Sequence, residues 1–248
     1  MIYALLSVHE KAEKLNLLLS TIKGISQTDL MAVSYKEIAA VVSCQKETDI
    51  IADKNKVLEY AGVIDQLAQH FTLLPMRYGS SMESNEAILV MLKINYTEIH
   101  QNLLKVENKN EFGLKIFCDT QKLHTQIRAE SEINSSLNNG LEDQPANSVF
   151  KDYVNKKLRE HRLEELMISY VDALIAEISI YLDQFHAFYK FKKMTTSNNI
   201  IDAVFLLDKE KQTELVSAIE TLQHRYPDLN VVLTGPWSPF NFVEITIK

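Results

Sequence analysis

The segment from Thr234 to Val243 constrains the fold of this 248-residue chain more than any other segment. It contains the only tryptophan, Trp237, together with a glycine at position 235 and prolines at positions 236 and 239. Proline lacks the backbone N–H that a central strand needs, and glycine before proline favours an extended turn or bulge. We therefore predict a strand, a rigid aromatic loop and a second strand that begins near Val243.

Three aromatic side chains, Trp237, Phe240 and Phe242, lie in or beside this loop. The prolines reduce the conformational entropy that is lost when these side chains are ordered. Because large aromatic side chains are mostly buried, we favour a plug in the hydrophobic core over a docking surface for a partner. The two interpretations are compatible if Trp237 anchors the loop while Phe240 contacts a partner.

The composition is that of an ordinary globular protein, with 46% hydrophobic and 24% charged residues. A net charge of −7 argues against a general nucleic-acid binder, which needs a clustered basic surface. No apolar run reaches the length of a membrane span, and the first residues lack the basic start of a signal peptide. Cys44 and Cys118 lie far apart, which suggests small buried residues in a reducing cytosol. We therefore expect a cytoplasmic protein.

The first part of the chain predicts an N-terminal α+β domain over residues 1–107. Strands are predicted over about residues 2–8, 30–35, 37–43 and 73–78, and helices over about 11–23 and 57–71. This order, strand-helix-strand-strand-helix-strand, is that of a ferredoxin-like split βαβ unit or a relative of it. A further single helix is predicted from about Glu83 to Val106, and the polar turn that follows marks the domain boundary.

Residues 108–248 predict a second, modified ferredoxin-like α+β domain that carries a long helical-hairpin insertion over about residues 121–193. Its strands are predicted over about 112–118, 200–207 and 229–234, with a helix over 209–226. In the insertion we predict a helix over about 122–133, a loop over 134–148 and helices from Val149 to about Phe191. From Met167 to Phe188 the apolar residues step by four and three, which is typical of a helix in an antiparallel pair. Its predicted partner is the segment from Phe150 to Leu158; a coiled coil exposed for a partner is the alternative.

The usual sequence signatures of catalytic and cofactor sites are missing. The spacing of the six glycines excludes G-x-G-x-x-G and the Walker A pattern, and there is no G-x-S-x-G elbow. The seven histidines are scattered and form no local zinc pattern, although a zinc site can still assemble from distant residues. The residues therefore indicate no catalytic residue, no cofactor and no metal ligand.

Arg77 stands out because it interrupts the otherwise apolar strand that begins at Leu73. Pro75 limits this strand to the edge of a sheet or to its first residues. The simplest role for the Arg77 guanidinium is an ion pair, with Glu83 and Glu86 as candidate partners, or a cap on carbonyl groups at the edge of the strand. A partner contact or a clamp for an anionic ligand are the alternatives.

Two motifs resemble those of the gas vesicle protein GvpF/GvpL family. Leu74-Pro75-Met76-Arg77-Tyr78-Gly79-Ser80 resembles the family motif L-P-V-R-F-G-T, and Thr234-Gly235-Pro236-Trp237-Ser238-Pro239-Phe240-Asn241-Phe242-Val243 resembles T-G-P-W-P-P-Y-S-F-V. Ile2-Tyr3-Ala4 is similar to the tyrosine-containing first strand of the family. The chain departs from the family pattern at Ser238, where proline is usual, at Phe240, where tyrosine is usual, and at Ala4, where glycine is common.

The resemblance implies a non-enzymatic α+β protein that acts in gas vesicle formation. Members of the family are regarded as minor vesicle components or assembly factors that contact the small hydrophobic shell protein and other accessory proteins. The partner contacts that we predict are Trp237, Phe240, Phe242 and Arg77, at gas vesicles in the cytoplasm. The alternatives are an enzyme or small-ligand sensor that uses Arg77 and an interdomain cleft, and a scaffold that acts through its helical hairpin.

Overall fold

The computed structural model describes residues 1–9, 11–44, 53–119, 125, 149–193, 198–243 and 245. Contacts divide the chain into two units. Unit 1 comprises Met1–Phe112, Leu206–Lys209 and Gly235–Lys248, and unit 2 comprises Gly113–Phe205 and Glu210–Thr234. Unit 1 is therefore discontinuous along the chain, and the domain division after residue 107 stays a prediction.

The first sheet lies in unit 1 and has the strand order β2-β3-β1-β4. The strands are β1 (Ile2–Ser7), β2 (Leu30–Tyr35), β3 (Ile38–Ser43) and β4 (Leu73–Pro75), and each neighbouring pair is antiparallel. The central strands β1 and β3 are almost entirely buried, which explains their continuous apolar sequences. β4 is an edge strand, as Pro75 predicts.

Helices α1 (Ala12–Thr21) and α2 (Lys54–Ala68) complete the order strand-helix-strand-strand-helix-strand, which is that of a split βαβ unit. Asp53 is the N-cap of helix α2, and its Oδ1 accepts hydrogen bonds from the backbone N–H groups of Asn55 and Lys56 at 2.8 and 3.0 Å. One core cluster joins both helices to the sheet through Leu15, Leu19, Val63, Ile64 and Leu67. The α+β class that the sequence predicts is confirmed.

The single helix predicted from Glu83 to Val106 is two helices, α3 (Asn85–Ile94) and α4 (Tyr96–Val106). Asn95 separates them with non-helical φ and ψ angles of −99° and 12°. Its side-chain Nδ2 donates to the carbonyl oxygen of Met91 at 2.8 Å. Asparagine side chains compete in this way for backbone groups, which is why a local polar residue can end a continuous apolar pattern.

The second sheet has the strand order β6-β7-β5-β8. Its strands are β5 (Lys109–Cys118), β6 (Phe188–Lys193), β7 (Asn199–Asp208) and β8 (Leu229–Trp237), with helix α6 (Gln212–Arg225) between β7 and β8. The prediction that the helix starting at Val149 extends to Phe191 is wrong, because this helix ends at Gln184 and strand β6 follows it. The alternation of aromatic and lysine residues from Tyr189 to Lys192 has the period of two that belongs to a strand.

Helix α5 (Val149–Gln184) is one continuous helix of 36 residues. The predicted antiparallel partner, from Phe150 to Leu158, belongs to this same helix, so that pairing is wrong. The predicted helix over 122–133 lies outside the described residues except for Thr125, and the whole of the predicted loop over 134–148 lies outside them. Over the ranges that the structure describes, no helix is both long enough and apolar enough to span a membrane.

The apolar stripe of α5 is buried, but its period differs slightly from the predicted one. The buried positions are Met167, Val171, Leu174, Ile178 and Leu182. The last step is four residues, so that Leu182 is buried in place of the predicted Tyr181. A straight helix with 3.6 residues per turn drifts in this way from a strict seven-residue repeat.

Candidate functional site

The segment from Thr234 to Val243, called the proline segment below, is part of a strand for longer than the sequence predicts. Strand β8 continues through Gly235 and Pro236 to Trp237, and it lies at the edge of the sheet, where proline removes no ladder hydrogen bond. Gly235 has φ of +117° and precedes a cis peptide bond, and a Cβ atom at this position would lie 2.9 Å from the Glu111 carbonyl oxygen. The predicted strand after Val243 is wrong for the two described positions, Val243 and Ile245, which are not in a strand.

The three aromatic side chains of this segment have different environments. Phe242 is 4% exposed, whereas Trp237 is 52% and Phe240 46% exposed. The prediction of Trp237 as the core plug is therefore wrong, and Phe242 occupies the buried position. Trp237 and Phe240 present large apolar surfaces to solvent, and their contact with a partner stays a prediction.

The side chain of Glu111 holds the segment in place within unit 1. Its Oε2 accepts the backbone N–H of Asn241 at 2.7 Å, and its Oε1 accepts the side-chain Nδ2 of Asn241 at 2.5 Å. Nearby, Lys105 Nζ donates to the carbonyl oxygen of Phe242 at 3.2 Å. Glu111 is buried, so these charge-assisted hydrogen bonds fix the backbone between the exposed and the buried aromatic residues.

Sequence reasoning missed Glu111 as a residue of this site. Glu111 and Asn241 are 130 positions apart, and no local pattern connects residues at that separation. The local sequence gives no signal for this role, because Glu111 ends the polar run that begins at Glu107 and lies directly before the buried Phe112.

A groove of about 340 Å³ lies beside the proline segment, and all of its lining residues belong to unit 1. Its apolar residues include Phe71, Leu73, Val106, Pro236, Trp237 and Pro239, and its polar residues include Asp65, Gln69, Asn108, Asn110, Lys109 and Lys209. The Lys109 ammonium forms a close ion pair with Asp208, which neutralises one of the cations. The groove thus combines an aromatic wall with amide side chains that can bond a peptide backbone.

The motif from Leu74 to Ser80, called the central motif below, forms a turn that favours its glycine. The backbone N–H of Ser80 donates to the carbonyl oxygen of Arg77 at 3.0 Å, and Gly79, the third residue of this turn, has φ of +84°. A type II turn requires a positive φ at that position, which favours glycine.

The Arg77 side chain is exposed. Among the described residues, Arg77 forms no ion pair with Glu83 or Glu86, so the predicted ion pair is wrong for this structure. Its role as a partner contact stays a prediction.

Three tyrosines join the central motif to the first strand of unit 1. The Tyr60 ring stacks on Tyr3 and meets Tyr78 edge-on, with centroid distances of 5.5 Å in both pairs. The Tyr60 hydroxyl donates to the carbonyl oxygens of Tyr3 and Met76. Burial raises the pKa of the Tyr60 and Tyr78 hydroxyls. Tyr78 of the central motif thus packs against the core cluster of unit 1.

Two further expectations concern possible chemistry. Cys118 is buried as predicted, but Cys44 is exposed, so the prediction of two buried cysteines is wrong for Cys44. Within the described ranges, no group of three or more His, Cys, Asp or Glu side chains is placed to hold a metal ion.

The fold is that of a known group of α+β proteins. The structure resembles the crystal structure of the gas vesicle protein GvpF from Anabaena, with a TM-score of 0.76, 17% sequence identity and coverage of 99% of this chain and 98% of that one. This similarity establishes the fold.

The family model for gas vesicle synthesis protein GvpL/GvpF matches residues 1–244. The chain therefore belongs to this family, and the family assignment supports a role in gas vesicle formation. Gas vesicle protein F1 of Halobacterium salinarum is 26% identical over 238 residues, which cover 95% of this chain and 90% of the relative. Gas vesicle protein F of Haloferax mediterranei is 21% identical over 233 residues, covering 91% and 87%.

Proposed function

We propose that this protein is a non-enzymatic accessory or minor structural component of gas vesicles. In this proposal it binds the small hydrophobic shell protein, and other vesicle proteins, during vesicle formation in the cytoplasm. The family assignment supports the pathway. The contact itself is our inference from the surface of unit 1.

The observation that carries the proposal is the exposed aromatic pair of Trp237 and Phe240. Both rings are about half exposed, at 52% and 46%, and the backbone that follows them is fixed by Glu111 through Asn241. Large aromatic side chains are the most common anchors of protein interfaces. Because the segment is already ordered, binding through it loses little conformational entropy.

A hydrophobic shell subunit is a suitable partner for such a surface. Before it polymerises, its apolar surface must be covered to prevent non-specific association. An exposed aromatic pair next to a groove with amide side chains provides apolar contact and hydrogen bonds to the backbone.

The contact can be tested by capture of the purified shell protein on the immobilised protein. We expect the double variant Trp237→Ala/Phe240→Ala to lower the affinity by roughly 30-fold or more, which corresponds to the loss of one hot spot of about 2 kcal/mol. Phe188→Ala is the matched control, because this phenylalanine is similarly exposed, at 48%, but lies in strand β6.

Urea unfolding must first establish that the double variant is as stable as the unmodified protein. Equal capture by a variant of unchanged stability would reject this segment as the binding surface.

A further inference from the structure

Ser238 lies in the sequence between the exposed Trp237 and Phe240, but unlike them it is buried, with 7% of its surface exposed. Its carbonyl oxygen accepts the backbone N–H of Phe240 at 2.8 Å. Its hydroxyl, in contrast, has no hydrogen-bond partner among the described residues. A buried hydroxyl without a partner costs stability, so such a group in a folded protein calls for an explanation.

The surroundings of Ser238 indicate where a partner for this hydroxyl can bind. Ser238 lines the groove of about 340 Å³ beside the proline segment, together with its neighbours Trp237 and Pro239. A serine hydroxyl turns about a single side-chain torsion, and changes of rotamer are common at interfaces. A hydrogen-bond acceptor held in the groove can therefore take the free O–H of Ser238.

The charged side chains of the groove favour an uncharged occupant. Asp65 and Lys209 have opposite charges, and both are exposed, so they keep their contact with water. The third charged residue, Lys109, is neutralised by its ion pair with Asp208. An ionic ligand meets no excess of opposite charge here, whereas an apolar segment packs against the Trp237 ring.

We propose that Ser238 is a specificity-determining residue of this groove, and that its hydroxyl donates to a backbone carbonyl of an uncharged, apolar segment of the shell protein. This inference rests on the proposed function, because it takes the shell protein as the partner. The apolar side chains of the bound segment pack against Trp237. A backbone carbonyl that is buried beside them needs a donor, so the hydroxyl of Ser238 favours a segment placed in the matching register.

Ser238→Ala separates this role from a structural one, because stability and affinity respond to it differently. In the free protein the substitution removes a buried hydroxyl that has no partner, so we expect the urea midpoint to stay the same or to rise. In capture of the purified shell protein we expect the affinity to fall roughly three- to tenfold, the usual effect of losing one neutral hydrogen bond.

Ser43→Ala is the matched control. Ser43 is also buried, at 3% exposure, but its hydroxyl is hydrogen-bonded to the Tyr3 hydroxyl at 3.1 Å. The same chemical change at this position should lower the urea midpoint and leave the affinity unchanged. Ser238→Cys replaces Ser238→Ala if that variant does not fold, with the same expected fall in affinity, since a thiol is only a weak donor.

The possible outcomes distinguish this inference from the proposed function. Equal affinity of Ser238→Ala and the unmodified protein would overturn the inference. A fall in affinity together with a lower urea midpoint would overturn it as well, because the hydroxyl would then hold the segment and not the partner. If Trp237→Ala/Phe240→Ala weakens capture and Ser238→Ala does not, the proposed function stands and the role of Ser238 is wrong. If the unmodified protein captures no shell protein, the proposed function fails and this inference fails with it.

Discussion

Glu111 bonds the chain directly after the exposed aromatic pair. Its buried carboxylate accepts two hydrogen bonds from Asn241, which lies between Phe240 and Phe242. Removing either side of these hydrogen bonds leaves a buried polar group without its partner, which destabilises the folded state.

We expect Glu111→Ala to lower the free energy of unfolding by about 2 kcal/mol, the usual size for hydrogen bonds to a charged group. Urea unfolding measures this change, and Glu107→Ala is the control, because Glu107 is an exposed glutamate at the end of helix α4. A change within the error of the control would show that Asn241 is held by other contacts.

A second carboxylate, Glu37, links the β2–β3 hairpin to helix α4. It accepts a close hydrogen bond from the Tyr96 hydroxyl, and this bond holds the pKa of Glu37 below its usual value. The same bond raises the pKa of Tyr96 to about 12. Because the pKa of Glu37 is lowered on folding, its stabilising effect is complete above its unfolded-state pKa and is lost as pH falls through the folded-state pKa.

Tyr96→Phe removes this bond, so we expect the variant to be less stable than the unmodified protein at pH 7. The difference between the two should shrink as the pH falls below the usual titration range of glutamate. Urea unfolding at a series of pH values from 7 to about 3 tests this dependence. Tyr35→Phe is the control, since the Tyr35 ring packs against Tyr96 but is not the donor to Glu37. A stability difference independent of pH would contradict the role of Glu37.

At the scale of elements, two glycines of unit 1 have opposite effects on stability. Gly62 lies inside helix α2, and a Cβ atom there would meet no atom within 4 Å. Gly79 lies in the turn of the central motif, with φ of +84°. Alanine is better than glycine in a helix, but it is strained at a positive φ.

We therefore expect Gly62→Ala to raise the free energy of unfolding by about 0.5–1 kcal/mol. Gly79→Ala should lower it by about 1 kcal/mol or more, because the turn requires a left-handed residue. Each variant is the control for the other, since both make the same chemical change. Shifts of the same sign would contradict the assignment of the turn.

The elements that the sequence predicts well are those whose pattern is local. The hairpin of β2 and β3 and the edge position of β4 follow from β-rich runs and from Pro75. The break at Asn95 and the strand at Phe188 were missed, because a side-chain hydrogen bond and a short alternating run each compete with a longer helical pattern.

At the scale of the whole molecule, the candidate site depends on relations that a local pattern does not contain. The motifs place Trp237, Phe240 and Phe242 in one segment, but all three are large and apolar, so periodicity cannot tell which ring is buried. The structure buries Phe242 and bonds Asn241 to Glu111, which is 130 residues away. Family and fold class were therefore predictable, whereas the exposed pair and the residue that fixes it were not.

The discontinuity of unit 1 has a consequence for the order of events on the ribosome. Residues 235–243 of this unit are made only after the whole of unit 2, residues 113–234 with the exception of 206–209. At a rate of roughly 5–20 residues per second, about ten seconds or more pass between the synthesis of Met1 and the synthesis of Phe242. A nascent chain interrupted within unit 2 lacks Trp237 and Phe240 altogether. Competence to bind a vesicle partner through these residues would then arise only late in translation, which limits unproductive binding by incomplete chains.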